Sequence, residues 1–173
     1  ARVLAVNPSV LLMDEPFGAV DPLNRETLQV EFNRLQNKLR KTVIFVTHDL
    51  DEAIRVGDRI ILMKEGRLVQ EDRPEKLLAE PVNDFVRDFV GNDRALKRLA
   101  CFRVVDHMRR NGGGDGTEHA LLEDSTVRDA LSRILGLGLT SLPVVDEKGG
   151  KLGTIYLSDI EMLNRSAAEE PAS

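Results

Sequence analysis

The sequence predicts an α/β fold, a parallel-sheet unit followed by a smaller α/β module, and three observations carry that reading. Two short apolar runs, "VLLM" at 10–13 and "TVIFVT" at 42–47, flank a stretch with helical spacing. Strand, helix, strand is a βαβ unit, whose strands should lie parallel. Composition then shifts near residues 98–103, and a flexible "NGGGDG" loop follows at 111–116. Beyond that loop a capped helix, two strand-like runs and a last helix come in order.

Taken in turn, Val10 to Met13 is a continuous apolar run, as expected of a strand buried on both faces of a parallel sheet. Asp21-Pro22 reads as a helix start, with Asp as cap and Pro in the first helical position. Leu28, Phe32, Leu35 and Leu39 recur at helical spacing, predicting an amphipathic helix from Pro22 to about Arg40. After the second strand, Asp49 and Glu52 stand at capping-box spacing before a short helix that ends near Gly57. "RIILM" and "RLVQE" around "KEG" predict a hairpin. From Pro74 to about Leu99 the pattern is helical, broken near Pro81 and Gly91. "STVRDALSRIL" predicts a helix started by Ser125 or Thr126, with Val127, Ala130, Leu131 and Ile134 as its apolar face. "SLPVVD" and "KLGTIYL" read as strands turned by "EKGG", and Ser158 with Glu161 as a capping box for the last helix. "AAEEPAS" reads as a disordered tail.

At 173 residues the chain holds one ordinary domain or two small ones, and 42% hydrophobic residues argue for a packed core. A formal net charge of -5 argues against nucleic acid as a partner. The single cysteine, Cys101, excludes an internal disulfide and fits a reducing compartment. No apolar run approaches the roughly 18–20 residues that span a bilayer. Beginning on Ala1 rather than Met, the chain is expected to be a fragment or a processed product.

The chemistry concentrates at the strand ends. Asp14 and Glu15 stand where the first strand emerges at its C-terminal end, the edge at which open α/β sheets bind ligands. One carboxylate there can hold Mg²⁺ through waters and substrate phosphates, and a second can accept a proton from an attacking water. Phosphoryl transfer needs both. His48 follows the neighbouring strand, about 4.8 Å away, and so reaches the space in front of Glu15, where a neutral imidazole can donate to a γ-phosphate. Each feature alone has a plainer account: a polar loop, a structural histidine, and, for Asp21, a helix cap. Their order and spacing together favour the chemical one.

That combination resembles the ATP-binding subunits of ABC transporters. "VLLMDEP" looks like their Walker B strand with its adjacent catalytic Glu, "FGAVD" like the D-loop, and "VTHD" like the switch-histidine loop. The resemblance covers residues 1 to about 80, where "ARVLAVNP" is similar to the end of the helix after the family's signature motif. It implies a piece of a P-loop NTPase sheet, its C-terminal half, using ATP and Mg²⁺. Asp14 would be the Mg²⁺ carboxylate, acting through water, and Glu15 the base that polarises water. Asp21 would cross to a second ATPase subunit, and His48 would sense the γ-phosphate. "DFVRDFVGNDRALKRL" looks like the connector in importers of osmoprotectants such as glycine betaine, choline, carnitine and proline. Residues from about 103 to 163 resemble a CBS motif, which in that family binds adenosine nucleotides or senses ionic conditions; Asp159 would be its nucleotide contact. The expected domains are therefore an ATPase part over 1–98, a small α/β CBS-like module over 99–165 and a tail over 166–173. The resemblance further implies a peripheral position on the cytoplasmic face of the inner membrane. It implies permease partners in that membrane and, indirectly, a substrate-binding protein.

Three departures qualify this. No GxxxxGK[ST] phosphate loop, Q-loop or LSGGQ-type signature occurs in the chain, so the chain alone is expected to be inactive. Only one CBS-like motif is present, and Tyr156 stands at the place of that family's usual hydroxyl residue, three positions before Asp159. The competing expectation is a non-catalytic docking, dimerisation or regulatory module, distinguished by the length of the protein in its native cell.

Overall fold

The computed structural model describes residues 8–110 and 118–165, so the "NGGGDG" loop and the expected tail lie outside the described residues. The chain divides into two compact units, 1–60 and 61–173.

In the first unit, β1 (Val10–Asp14) and β2 (Thr42–Val46) pair in parallel, Val10 opposite Thr42 and Asp14 opposite Val46. Helix α1 (Pro22–Leu39) makes the crossover, with Pro22 in its first position as expected. Phe17, Phe32 and Phe45 meet with ring centroids 5.7–6.2 Å apart, joining the turn after β1, α1 and β2. Burial departs from the expectation. Leu11 is buried, but Leu12 is 74% and Ile44 52% exposed, so β1 and β2 are covered on one face rather than two. On α1 the aromatic knot takes Phe32, while Leu28, Leu35 and Leu39 are exposed. A two-stranded sheet is too narrow to cover the whole apolar stripe of an 18-residue helix.

Helix α2 (Leu50–Val56) is capped by Asp49, whose carboxylate accepts the N–H groups of Asp51 (2.9 Å) and Glu52 (3.2 Å). The reciprocal half of the expected capping box is missing. The Asp49 N–H goes instead to Thr47 Oγ1 (3.0 Å), and that hydroxyl donates to Glu52 (2.8 Å). Thr47 is simply the nearer partner for both. The helix ends at Gly57, whose N–H returns to the Ala53 carbonyl.

The second unit begins one residue into β3 (Ile60–Lys64), which pairs with β4 (Arg67–Asp72) around Glu65 and Gly66. Both turn residues have positive φ, 51° and 75°, which a two-residue hairpin requires and Gly66 adopts without steric cost. Helices α3 (Pro74–Ala79), α4 (Asp84–Val90) and α5 (Arg94–Leu99) follow, with breaks where Pro81 and Gly91 predict them. Buried Gln70 secures the first break: its Nε2 donates to the Glu80 carbonyl (3.0 Å) and its Oε1 accepts the Val82 N–H (3.1 Å).

The remainder of this unit runs α6 (Val104–His107), β5 (Leu121–Leu122), α7 (Val127–Leu137), β6 (Ser141–Val145), β7 (Lys151–Tyr156) and α8 (Leu157–Arg165). The sheet order is β5-β6-β7, parallel then antiparallel. Thr126 and Asp129 form the full capping box of α7. Val127, Ala130 and Ile134 are buried as predicted, in a core with Leu121, Leu142, Val144, Ile155 and Ile160, and Leu131 packs against its side. Leu99 and Val104 belong to the same core. Compactness therefore groups 61–98 with the rest of the second unit, whereas composition changes near 98–103. Helix α8 begins at Leu157, so Ser158 lies inside its first turn and is not its cap. Arg109 pairs with Thr154 through two backbone hydrogen bonds (2.9 and 3.0 Å). Gly153 makes that approach possible, since a Cβ there would lie 2.7 Å from the Arg109 carbonyl oxygen.

Candidate active site

The parallel pairing of β1 and β2 brings their C-terminal ends side by side, with Asp14 opposite Val46. Glu15 extends the ladder by one bond, its N–H reaching the Val46 carbonyl at 2.9 Å. It then takes a left-handed backbone, φ 46°, which a residue with a Cβ adopts at a cost of about 1–2 kcal/mol. Pro16 follows, and the Gly18 N–H closes the turn on the Glu15 carbonyl at 3.1 Å. Strain at a single non-glycine residue beside a strand end is a common mark of a functional position.

The turn aims Glu15 at His48. The histidine Nδ1 lies 2.6 Å from Glu15 Oε1, and because a carboxylate only accepts, Nδ1 carries the proton. The imidazole is 82% exposed and the carboxylate 39%. The hydrogen bond to Glu15 raises the pKa of His48 above its usual value, and the Glu15 charge adds to it, with smaller help from Asp49 and Glu52. A raised folded-state pKa means that the stabilisation is complete below the ordinary imidazole range and is lost as pH rises through the raised value. We expect His48 to titrate above 6.5 in a ¹⁵N-histidine NMR series and Glu15→Gln to return it towards that value. An unmoved titration in that variant would show that Glu15 is not its partner.

Of the four residues expected around this site, Glu15 and His48 are in contact. Asp14 is exposed at the end of β1, and among the described residues its side chain has no ion pair or hydrogen bond. Asp21 heads α1, its carbonyl accepting the N–H groups of Asn24 and Arg25 at 3.0 Å, and the Glu15–His48 pair forms without it. No cluster of three or more His, Cys, Asp or Glu side chains suited to a metal occurs among the described residues. A lone strand-end carboxylate still fits Mg²⁺, which takes one or two carboxylates and completes its octahedron with water and phosphate.

Asp159 lies in the other unit, in the first turn of α8. The Arg109 guanidinium grips its carboxylate through Nε (3.0 Å) and Nη2 (2.5 Å), and stacks 4.8 Å from the Tyr156 ring centre. The two residues line an open hollow of about 340 Å³ with His107, Met162 and Leu163. Sequence reasoning missed Arg109, since 50 residues and no periodicity connect it to Asp159. No sequence pattern points to Arg25 either, and spacing alone makes Glu52 only a capping residue. In the structure Glu52 is buried, faces Arg25 and holds Thr47 beside His48.

Residues 119–162 match the CBS domain family. Over nearly its whole length the chain is similar to ATP-binding proteins of import systems. It is 46% identical to the glycine betaine uptake system ATP-binding protein YehX of Escherichia coli, over 92% of this chain and 52% of that protein. It is 44% identical to the osmoprotectant import ATP-binding protein OsmV of Salmonella typhimurium, over 89% of this chain and 39% of that protein. It is 41% identical to the carnitine transport ATP-binding protein OpuCA of Listeria monocytogenes, over 96% and 41% respectively. The chain thus spans about half, or less, of the length of these curated relatives. The chain is a homologue of the ATP-binding subunits of glycine betaine and osmoprotectant ABC transporters, and its C-terminal part carries a CBS domain.

Proposed function

We propose that this chain supplies the hydrolytic strand ends of an ATPase subunit that energises import of quaternary-amine osmoprotectants. The observation that carries the reading is the Glu15–His48 hydrogen bond across two adjacent parallel strand ends. Glu15, held at the mouth of the sheet, takes the proton of the attacking water. Its grip on Nδ1 leaves Nε2 an acceptor in the neutral ring, so His48 donates to the γ-phosphate as the imidazolium that the Glu15 charge favours, not as the neutral imidazole expected from the sequence. Asp14 holds Mg²⁺ through water; the ion, when bound, neutralises phosphate charge. Asp21 reaches a second ATPase subunit across a dimer. The partners are that subunit, integral membrane permease subunits and, through them, a substrate-binding protein. The position is peripheral, on the cytoplasmic face of the inner membrane. No helix among the described residues is long and apolar enough to cross a membrane.

His48→Ala tests the reading in a complete ATPase subunit that carries this sequence. ATP turnover should fall by about tenfold or more, the scale of a lost charge-assisted hydrogen bond. ADP affinity should hardly change, because ADP lacks the γ-phosphate. An equal loss of ADP and ATP binding would make His48 a structural residue.

For the CBS domain we propose Asp159 as the contact for an adenosine nucleotide, which Arg109 opposes. A ribose that uses Asp159 has to displace the guanidinium already bonded to it. Arg109 is half exposed, so the competition is screened. Arg109→Ala is expected to bind AMP roughly three- to tenfold more tightly than the unmodified chain by calorimetry. Equal affinities would place any nucleotide elsewhere.

A further inference from the structure

We infer that Glu52, with Thr47 and Arg25, is a positioning residue for the Glu15–His48 pair, tying the start of α1 to the segment that presents His48. The inference rests on the hydrolytic reading of that pair for its kinetic consequence, but not for its structural one.

His48 has little to hold it. Its ring is 82% exposed and its only polar side-chain partner among the described residues is Glu15, so its aim depends on its backbone. Both sequence neighbours are fixed by one chain of bonds. The Asp49 N–H donates to Thr47 Oγ1 (3.0 Å), which donates to Glu52 Oε2 (2.8 Å). Glu52 is 4% exposed. A buried carboxylate is costly unless paired, and a buried pair seldom stabilises a fold more than apolar residues of similar size would. Its value lies in fixing geometry.

The other Glu52 oxygen faces Arg25 Nε at 3.7 Å, just beyond hydrogen-bond length. That nitrogen is buried with no hydrogen-bond partner among the described residues. Arg25 comes from the first turn of α1. Its Nη1 lies 3.8 Å from Asp49 Oδ2 and its Nη2 donates to the Val20 carbonyl at 3.4 Å, immediately before Asp21. One guanidinium thus faces the segment leading into Asp21 and two acidic groups that follow His48, Asp49 and Glu52. A shift of the 16–21 turn would reach His48 through Arg25 and Glu52.

The test uses a complete ATPase subunit carrying this sequence, with Glu52→Gln, Arg25→Lys and His48→Ala singly and combined. Glu52→Gln should lower kcat on the order of tenfold to a hundredfold, the cost of a misplaced catalytic group, while KM for ATP moves by less than about threefold. In a His48→Ala background it should lower kcat no further, since the residues act as one unit. Thr47→Val, which cuts the same chain with little change of volume, should behave alike and covers the case in which Glu52→Gln does not fold. The ¹⁵N imidazole spectrum of His48 supplies the structural arm. The Nδ1–H form should dominate in the unmodified protein and give way to a tautomer mixture in Glu52→Gln or Thr47→Val. Unchanged kcat and spectrum in these variants, or a full further loss in the His48→Ala background, would overturn the proposal. A changed spectrum with turnover indifferent to His48→Ala itself would leave positioning intact and sink the hydrolytic reading.

Discussion

Replacing Glu15 by Gln in a complete ATPase subunit is expected to cut ATP turnover by about 10²–10⁴-fold while leaving ATP binding in place. The amide has the shape of the carboxylate and its oxygen can still accept the Nδ1–H of His48, so the strand-end geometry that now holds at 2.6 Å should survive. What it cannot do is take the proton of the attacking water. The left-handed backbone of Glu15 is unaffected by the exchange, because its φ of 46° is set by the Val46 hydrogen bond and the turn through Gly18. Steady-state hydrolysis decides the matter. Turnover within about twofold of the unmodified enzyme would remove Glu15 from the role of base.

The second large effect concerns the 173-residue chain by itself, which should neither hydrolyse ATP nor bind it at these strand ends better than about 1 mM, equivalent to about −4 kcal/mol. In P-loop enzymes the triphosphate rests on backbone N–H groups of the glycine-rich loop and on its Lys. No GxxxxGK[ST] stretch occurs in this sequence. What the strand ends offer a polyanion is Asp14 and Glu15, two carboxylates, and a His48 already engaged by one of them. Mg²⁺ can bridge carboxylate and phosphate, but one carboxylate seldom fixes the ion before phosphates are in place. Calorimetric titration with Mg-ATP should give no saturable heat that depends on Asp14. Micromolar binding that Asp14→Ala abolishes would mean that the phosphate site lies within this chain after all.

Much of the local structure was legible in the residues. Continuous β-branched and apolar runs gave β1 and β2, Asp-Pro the start of α1, Pro81 and Gly91 the breaks among α3 to α5, and Ser125-Thr126 the start of α7, though not the capping box that Thr126 forms with Asp129. The meeting of Glu15 with His48 was also legible, because adjacent parallel strands leave their C-terminal ends together. Burial was not. Periodicity says that Leu12, Leu28 and Ile44 are apolar, not that something covers them, and all three are exposed. Spacing misled at Glu52, where the capping-box pattern is satisfied in sequence but a nearer hydroxyl captures the carboxylate. It misled again at Ser158, because α8 starts directly off β7 and needs no loop residue as cap. Arg109–Asp159 and Arg25–Glu52 are pairings of the folded chain, and no short-range rule points to either.

The identity of the nucleotide retained by the Glu15→Gln subunit tests the central claim most directly. The subunit would be loaded with γ-labelled ATP and Mg²⁺, passed rapidly over a sizing column and its bound nucleotide identified. If Asp14, Glu15 and His48 form the hydrolytic strand ends, the variant should emerge with stoichiometric uncleaved ATP, while the unmodified subunit emerges with ADP or empty. Recovery of ADP with the label released, in the variant as in the unmodified subunit, would contradict the account.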